Sequence, residues 1–317
     1  MIQTSNVLSN GALVRYVEKV SFPVFKKSTF FWDMADVKRS KDKGVQLYAF
    51  NIVNPESSVL ADVETTNTPG ITPTSIDNSL RQVTVAMRQF IDIGYISDVA
   101  ESDTMVDLYA TVAKEKMRKM AEFVDEVVQT ALIAGTTQVI NGTQASNHAT
   151  IGAITTGEIL TPLHLRRVFA KLKANAVPFF DGEAGYVAVI HPFQADDLRG
   201  DVTSGGFYDA KKYTDPKTIF NGELGRLNGI RLVESPNIKI SATKGASSQD
   251  IYPAFFVGKE AYALVIDENI QTLIVPRTPS ISDPAAQRGS VSVKVRFNAQ
   301  VIRPESCYIV NTCVTSA

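Results

Sequence analysis

Hydrophobic positions along this chain change their period several times, and each change marks an element. In Ser290 to Val301 the apolar residues Val291, Val293, Val295, Phe297, Ala299 and Val301 alternate without a fault. A period of two predicts a strand with one face in a core; it puts Lys294 and Arg296 on the other face. Arg81 to Ile96 keeps a similar parity at Val83, Val85, Met87, Ile91, Ile93 and Tyr95. It predicts a half-buried strand, bent near Gln89-Phe90, with those residues inside. Gly44 to Val53 reads as extended. Thr104 to Gly135 switches to helical spacing, with Tyr109, Val112, Met117, Met120, Val124, Val127, Val128 and Ala131 on one stripe. Ser102 or Asp103 is placed to cap this helix and Gly135 to end it. At ~1.5 Å per residue it is a rod of ~45 Å, well beyond the usual ~11–12-residue helix.

Shorter elements fill the middle of the chain. Thr161-Pro162 opens a helix to Lys173, with Leu163, Val168, Phe169 and Leu172 on one side. Tyr186 to Ile190 is a short buried strand, and Pro192 opens a helix to about Leu198. Pro216 starts a short helix that Asn221-Gly222 ends, and Gly225 with Asn228-Gly229 brackets a tight reversal before a strand over Ile230–Val233. Strands follow at 251–257 and 262–266.

Two stretches break the pattern. Residues 1–43 mix helical spacing (Leu13, Val14, Val17, Val20) with Phe25, Phe30, Phe31 and Trp32, and carry Lys26, Lys27, Lys38, Arg39, Lys41 and Lys43. So many aromatics need a surface to lie on, either the body of the same chain or a neighbour. Residues 54–80 are rich in Ser, Thr, Asn and Pro, and polar loops of this length are uncommon in compact domains unless functional. Flanked by two strands, this one predicts an extended hairpin, each arm of ~12 residues reaching ~40 Å.

Charge narrows the classes. Formal net charge is −1, which argues against a strongly basic nucleic-acid binder but allows a local basic face. Lys114, Lys116, Arg118 and Lys119 crowd the first half of the long helix, answered by Glu115 and Glu122. Such a run is usually a solvated face; the sharper reading is a face turned to a polyanion. Cys307 and Cys313 are the only cysteines and have no metal-ligand or disulfide-framework spacing, so they read as small apolar residues in a reducing compartment. No segment reaches the ~20 apolar residues of a membrane helix, and the N-terminus lacks the pattern of a signal peptide.

Enzyme chemistry finds little support. His191 closes a strand and Asp196 and Asp197 follow it, an arrangement able to house a general base, though His191-Pro192 also reads as a plain strand-to-helix turn. His148, His164 and His191 are scattered, with no metal-binding spacing. Gly222, Gly225 and Gly229 fit neither phosphate-loop pattern. No catalytic, cofactor or metal site is therefore expected.

The order of parts resembles the tailed-phage major capsid proteins of the HK97-like fold, and individual stretches resemble the capsid family of N4-like phages. They are Ile96-Ser97-Asp98-Val99; Leu172-Lys173-Ala174-Asn175-Ala176-Val177-Pro178; Tyr186 to Pro192 continuing to Asp197-Leu198-Arg199; Lys217 to Asn237; and Asp283-Pro284 to Arg288-Gly289. The resemblance implies an α+β shell protein with an N-terminal arm (1–43), an extended loop (44–98), a peripheral domain with a spine helix (99–135 and 290–317) and an axial domain (136–289). It implies self-assembly as hexamers and pentamers into an icosahedral shell around double-stranded DNA, inside a host cytoplasm. It leaves room for separate scaffold, portal and decoration proteins. Lys26, Lys27, Lys114 and Arg118 are then candidates to face DNA, and Phe31, Trp32, Pro69 and Gly70 to meet a neighbouring subunit. An encapsulin-like compartment shell is the alternative within the same fold, and a soluble α/β enzyme the alternative outside it.

Some shells of this fold are crosslinked through a lysine on the extended loop. Residues 54–80 contain none, so mature particles should run on denaturing gels as free subunits, and a covalent ladder through this loop would contradict this.

Overall fold

In the computed structural model, residues 30–39, 47–53, 80–103, 107–143, 147–180, 185–200, 225–279 and 283–315 are described. A short helix, Phe31–Met34, leads into strand β1 (Asp36–Arg39). Then come β2 (Leu47–Val53), β3 (Leu80–Ala86) and β4 (Arg88–Ser97). A short helix Asp98–Asp103 precedes the long helix Leu108–Gly135. The expected single helix from Thr104 is thus shortened, and the cap is neither Ser102 nor Asp103. Asp107 serves instead, its carboxylate accepting the Ala110 amide at 3.1 Å. After it follow β5 (Val139–Asn141), the helix Pro162–Ala174, β6 (Tyr186–Ile190), the helix Pro192–Gly200, β7 (Arg226–Leu227), β8 (Ile230–Glu234), β9 (Tyr252–Val257), β10 (Tyr262–Val275), β11 (Arg288–Val301) and β12 (Cys307–Thr312).

The strands form three sheets, ordered β1-β10-β11-β4, β5-β12-β9-β6-β8-β7, and β2-β3. This differs from the domain boundaries expected above. Cys307–Thr312 pairs with β9 and β5, so it belongs with the 139–257 sheet rather than with the strand before it. Tyr262–Val275 lies beside β11 rather than in the 136–257 lobe. Short β12 and β5 carry no alternation from which their pairing could be read.

By its contacts the described chain divides into two compact units. One comprises residues within 91–120 and 270–294; the other comprises residues within 27–90, 121–269 and 295–317. In the larger unit, Leu165, Val168 and Leu172 of the helix Pro162–Ala174 join Ala188, Ile190, Phe256 and Val310 of the sheet in one apolar cluster. Strands β6 and β9 are buried at every position, as central strands covered on both faces must be. Strand β11 alternates as its sequence predicts, with each odd residue from Gly289 to Val301 buried. The hairpin of β2 and β3 is also as expected, in register from Leu47↔Ala86 to Val53↔Leu80. Its tip, residues 54–79, lies outside the described residues, as does the helix expected at 216–220.

The reversal at Asn228-Gly229 is a two-residue hairpin turn, with φ of +51° and +80°. Both central residues are left-handed, the form that matches strand twist and favours Asn-Gly. Gly185 makes the opposite approach: a Cβ there would run into the carbonyl oxygen of Gly229, which accepts the Tyr186 amide. Backbone cannot yield as a side-chain tip can. Gly185→Ala should therefore destabilise the subunit by about 2 kcal/mol or more, read by urea unfolding, while an alanine at solvent-open Gly157 should cost little.

Candidate assembly surfaces

The hairpin offers two different faces. Tyr48, Phe50, Ile52, Arg81, Val83 and Val85 form the more buried one, with Tyr48 and Phe50 rings 5.0 Å apart. Leu47, Ala49, Asn51, Leu80, Gln82, Thr84 and Ala86 are exposed on the other, and none of them is charged. Two bonds fix its base: Arg81 Nη2 donates to the Ile302 carbonyl at 2.7 Å, and Asn298 Nδ2 to that of Ala86 at 2.7 Å.

Strand β4 overturns the expected parity. Val83, Val85 and Met87 face inward as predicted, but Arg88 and Gln89 are both exposed, and the alternation flips there. Beyond the flip, Phe90, Asp92, Gly94 and Ile96 are the covered positions, while Ile91, Ile93 and Tyr95 are 54%, 49% and 69% exposed. The physical reason is the long helix. Lys116 Nζ donates to Asp92 Oδ1 at 2.6 Å, and Lys119 lies 3.5 Å from Oδ2. Burial alone would raise the Asp92 carboxyl, but the Lys116 hydrogen bond and the two lysine charges outweigh it and hold the carboxyl below its ordinary range.

These contacts also sort the candidate residues. Lys116 and Lys119 are engaged by Asp92, and Arg118 by Glu115 at 3.1 Å. Lys114 is exposed and forms no ion pair among the described residues. Phe31 is corrected as an inter-subunit candidate. It is fully buried, edge-on to Phe255 at 5.4 Å, and its carbonyl accepts the Tyr262 hydroxyl at 2.6 Å. With Phe30 N–H on Asp125 at 3.0 Å and β1 parallel to β10, residues 30–39 lie on their own subunit. Trp32 is half-buried. Lys26, Lys27, Pro69 and Gly70 lie outside the described residues.

The histidines and Asp197 have structural partners, while Asp196 is exposed. His191 Nδ1 accepts the Phe193 amide at 3.3 Å, and its ring lies tilted against Phe193 and Tyr252, each with centroids 4.9 Å away. Asp197 accepts the Thr315 amide. His164 is buried, its Nδ1 accepting the Thr161 amide and its Nε2 donating to the Gly142 carbonyl. That pattern requires a neutral ring, and burial lowers its pKa accordingly. Both cysteines are free and buried; burial pushes the Cys307 thiol up to about 12 and raises that of Cys313. No group of three His, Cys, Asp or Glu side chains among the described residues is arranged to hold a metal ion.

What sequence reasoning missed is a set of buried polar locks. Gln194 is fully buried; its amide donates to Tyr252 O and Thr312 Oγ1, each at 2.9 Å, and accepts the His191 amide. Gln129 donates to Asn237 O and accepts from Lys239 N, both at 2.6 Å. Glu158 accepts the Thr155 amide at 2.7 Å and bonds His148 Nε2 at 2.9 Å. No spacing rule links partners 58 or 118 residues apart.

The described elements, a two-stranded hairpin, a 28-residue helix, a four-stranded sheet and a six-stranded sheet, fit the α+β HK97-like fold expected above. The chain belongs to the phage capsid protein family, whose profile matches residues 95–310. Among solved structures it is similar to the capsid asymmetric unit of cyanophage Pam1, with TM-score 0.78, 13% identity, and 100% of this chain and 99% of that chain covered. It is also similar to the capsid of cyanophage P-SCSP1u, with TM-score 0.71, 16% identity and coverage of 97% and 94%. A chain from Mycobacterium phage Che8 gives TM-score 0.70, 15% identity and coverage of 95% and 97%. No curated protein matches. The chain is thus a structural protein of a virion capsid and not an enzyme, and it assembles with itself into the shell.

Glu158 supplies a pH test. Burial works to raise its carboxyl, but the amides of Thr155 and Thr143 and the His148 ring bring it below its ordinary 4.5. A depressed carboxylate stabilises the fold fully above its unfolded value and loses that contribution as pH falls through the folded one. Glu158→Gln should cost about 1–3 kcal/mol at pH 7, and the gap from wild type should close below pH 4.5. Urea unfolding across pH 3 to 7 reads this, and a gap independent of pH would contradict it.

Proposed function

We propose that this chain is the major capsid protein of a tailed phage of the N4-like group, and that its shell encloses double-stranded DNA. The observation that carries the reading is the family match over 95–310 together with likeness to capsid subunits along the full chain. The motifs from Ile96-Ser97-Asp98-Val99 to Arg288-Gly289 support the narrower group. In this reading residues 1–43 are the N-terminal arm and 44–98 the extended loop. The peripheral domain takes 99–135 and 290–317, and the axial domain takes 136–289 and surrounds the five- and six-fold axes of hexamers and pentamers. The sheet orders favour moving Cys307–Thr312 to the axial domain and Tyr262–Val275 to the peripheral one.

Assembly takes place in the host cytoplasm, with separate scaffold, portal and decoration proteins as partners. The extended loop lies across a neighbouring subunit; the uncharged face of its hairpin suits such a contact, because no charge has to be desolvated. Trp32, Pro69 and Gly70 remain its inter-subunit residues. Near-neutral net charge supports a cavity lining that does not grip DNA. Lys114 is the best-placed DNA-facing residue of the long helix, with Lys26 and Lys27 from the arm. Arg118 is second to it, because Glu115 already engages its charge. No helix among the described residues is long and apolar enough to cross a membrane.

Electron microscopy of the purified chain and of a deletion of residues 57–76 tests the reading. The unmodified chain should give shells, tubes or capsomers. The deletion should stay folded and form no normal shells. A full-length chain that stays an inert monomer under all assembly conditions would overturn it.

A further inference from the structure

The helix Pro162–Ala174 carries Arg166, Arg167, Lys171 and Lys173 and no acidic residue. Leu165, Val168 and Leu172 on its inner side join the apolar cluster of the six-stranded sheet. With about 3.6 residues per turn, the exposed Leu163, Arg166, Ala170, Lys173 and Ala174 fall on one outward stripe, and exposed Lys171 lies at its rim. Arg166 and Lys173 are two turns apart, ~10 Å along the axis. That is close to the ~8 Å over which salt screens a charge, so these cations act as one patch.

Local structure does not use this charge up. Cations in a last helical turn offset the helix dipole, which accounts for Lys171 and Lys173 but not for Arg166 or for the missing acids. A solvated helix face usually mixes signs, as the long helix does where Glu115 meets Arg118. Elsewhere Lys116, Lys119, Arg199, Arg277 and Arg296 each meet a carboxylate. Arg166, Lys171 and Lys173 form no ion pair among the described residues. Lys171 Nζ lies 5.6 Å from the Tyr308 ring centre and Lys173 Nζ 5.8 Å from that of Phe169. The subunit's own rings thus hold two of the charges in place while the side chains stay exposed.

The make-up of the stripe distinguishes a nucleic acid from a protein partner. Protein interface cores favour aromatic residues and are depleted in Lys and Ala. Here Lys, Arg and Ala dominate, and the one large apolar residue is Leu163 at 39% exposure. Ala170 and Ala174 lie low among the longer cations and leave room for a phosphate chain to approach. We infer that the outward face of the helix Pro162–Ala174, through Arg166, Lys171 and Lys173, is a contact for the phosphate backbone of double-stranded DNA. The inference rests on the reading of the shell as enclosing such DNA. It adds a lining surface apart from the long helix and the arm. Phosphate contacts of this kind carry no sequence preference. Three charges hold DNA weakly in one subunit, which agrees with a near-neutral chain, and many copies in a shell repeat the contact.

Short duplex DNA titrated onto the folded subunit at several salt concentrations tests the charge. In a variant combining Arg166→Gln, Lys171→Gln and Lys173→Gln, the slope of log K against log salt should become shallower by about 2–3, at an unchanged unfolding midpoint. An unchanged slope would overturn the inference. So would a variant that loses polyglutamate binding but keeps the DNA slope, which would assign the patch to an acidic protein. Ala170→Cys tests the location, because both native cysteines are buried. A maleimide carried on a large polymer should label free subunits and shells broken by freezing, but not closed shells. Labelling of closed shells would put the helix outside, and protection that persists in broken shells would put it between copies. Either result overturns the DNA contact and leaves the shell reading intact. An unmodified chain that forms no shells would defeat the shell reading and this assignment with it.

Discussion

The close approach of the long helix to strand β4 decides which surfaces this subunit keeps and which it gives away. At Gly94 a Cβ would sit 3.1 Å from Lys116 Cε and 3.4 Å from Val112 Cγ1, so a side chain there would crowd the very lysine that pairs with Asp92. Two positions before it, Asp92 receives two lysines from the helix. A small residue and a carboxylate are poor material for an apolar core but good material for seating a lysine-bearing helix. Once they are inside, period-two geometry turns Ile91, Ile93 and Tyr95 outward. Breaking the ion pair from one side would leave the other charge partly desolvated without its partner, which costs more than the pair itself contributes. The pair therefore acts mainly on register.

In the larger unit the same problem of register is met differently. Strands such as Tyr186–Ile190 and Tyr252–Val257 are apolar on both faces, so hydrophobic burial alone tolerates a slip along the strand. Buried amides do not. Gln194 meets three groups from the strand-to-helix turn, β9 and β12 at once, and any slip would leave its donors unsatisfied at a cost of about 1–3 kcal/mol. Gln129 and Asn237 do the same for the helix against 237–239: the Asn237 side chain donates to Glu122 O at 3.0 Å while its own carbonyl takes the Gln129 amide. Apolar contacts supply most of the stability, and these few amides choose among near-equivalent packings.

Legibility followed from how local each signal was. Strand β11, the hairpin, the long helix and the turn at Asn228-Gly229 were readable because alternation, helical spacing and left-handed residues are local. The break before Leu108 was not, since Asp107 looks no better as a cap than Asp103 until the helix is placed. The parity of β4 was misread for a deeper reason: the rule that apolar means buried assumes that the folding unit is the single chain. In a subunit of a larger assembly, two faces of one strand can both be covered, one by its own helix and one by another molecule, and the more apolar face need not be the inner one. Phe31 shows the reverse error. An aromatic in an irregular arm suggested a neighbour, yet it fills its own core against Phe255. The locks of Gln194, Gln129 and Glu158 were invisible because their partners are distant in sequence.

A shell built from many copies places a limit on how strong any one contact should be. An interface that buried a full obligate area of ~2,000 Å² or more would dissociate slowly, and a wrongly placed subunit would stay wrong. Several contacts of modest area avoid this, because a subunit held at one site leaves and one held at all its sites remains, as effective concentration multiplies weak affinities. An uncharged two-stranded hairpin face has that scale. The near-neutral charge of the chain belongs to the same argument, since strong like-charge repulsion between identical copies would have to be overcome at every contact.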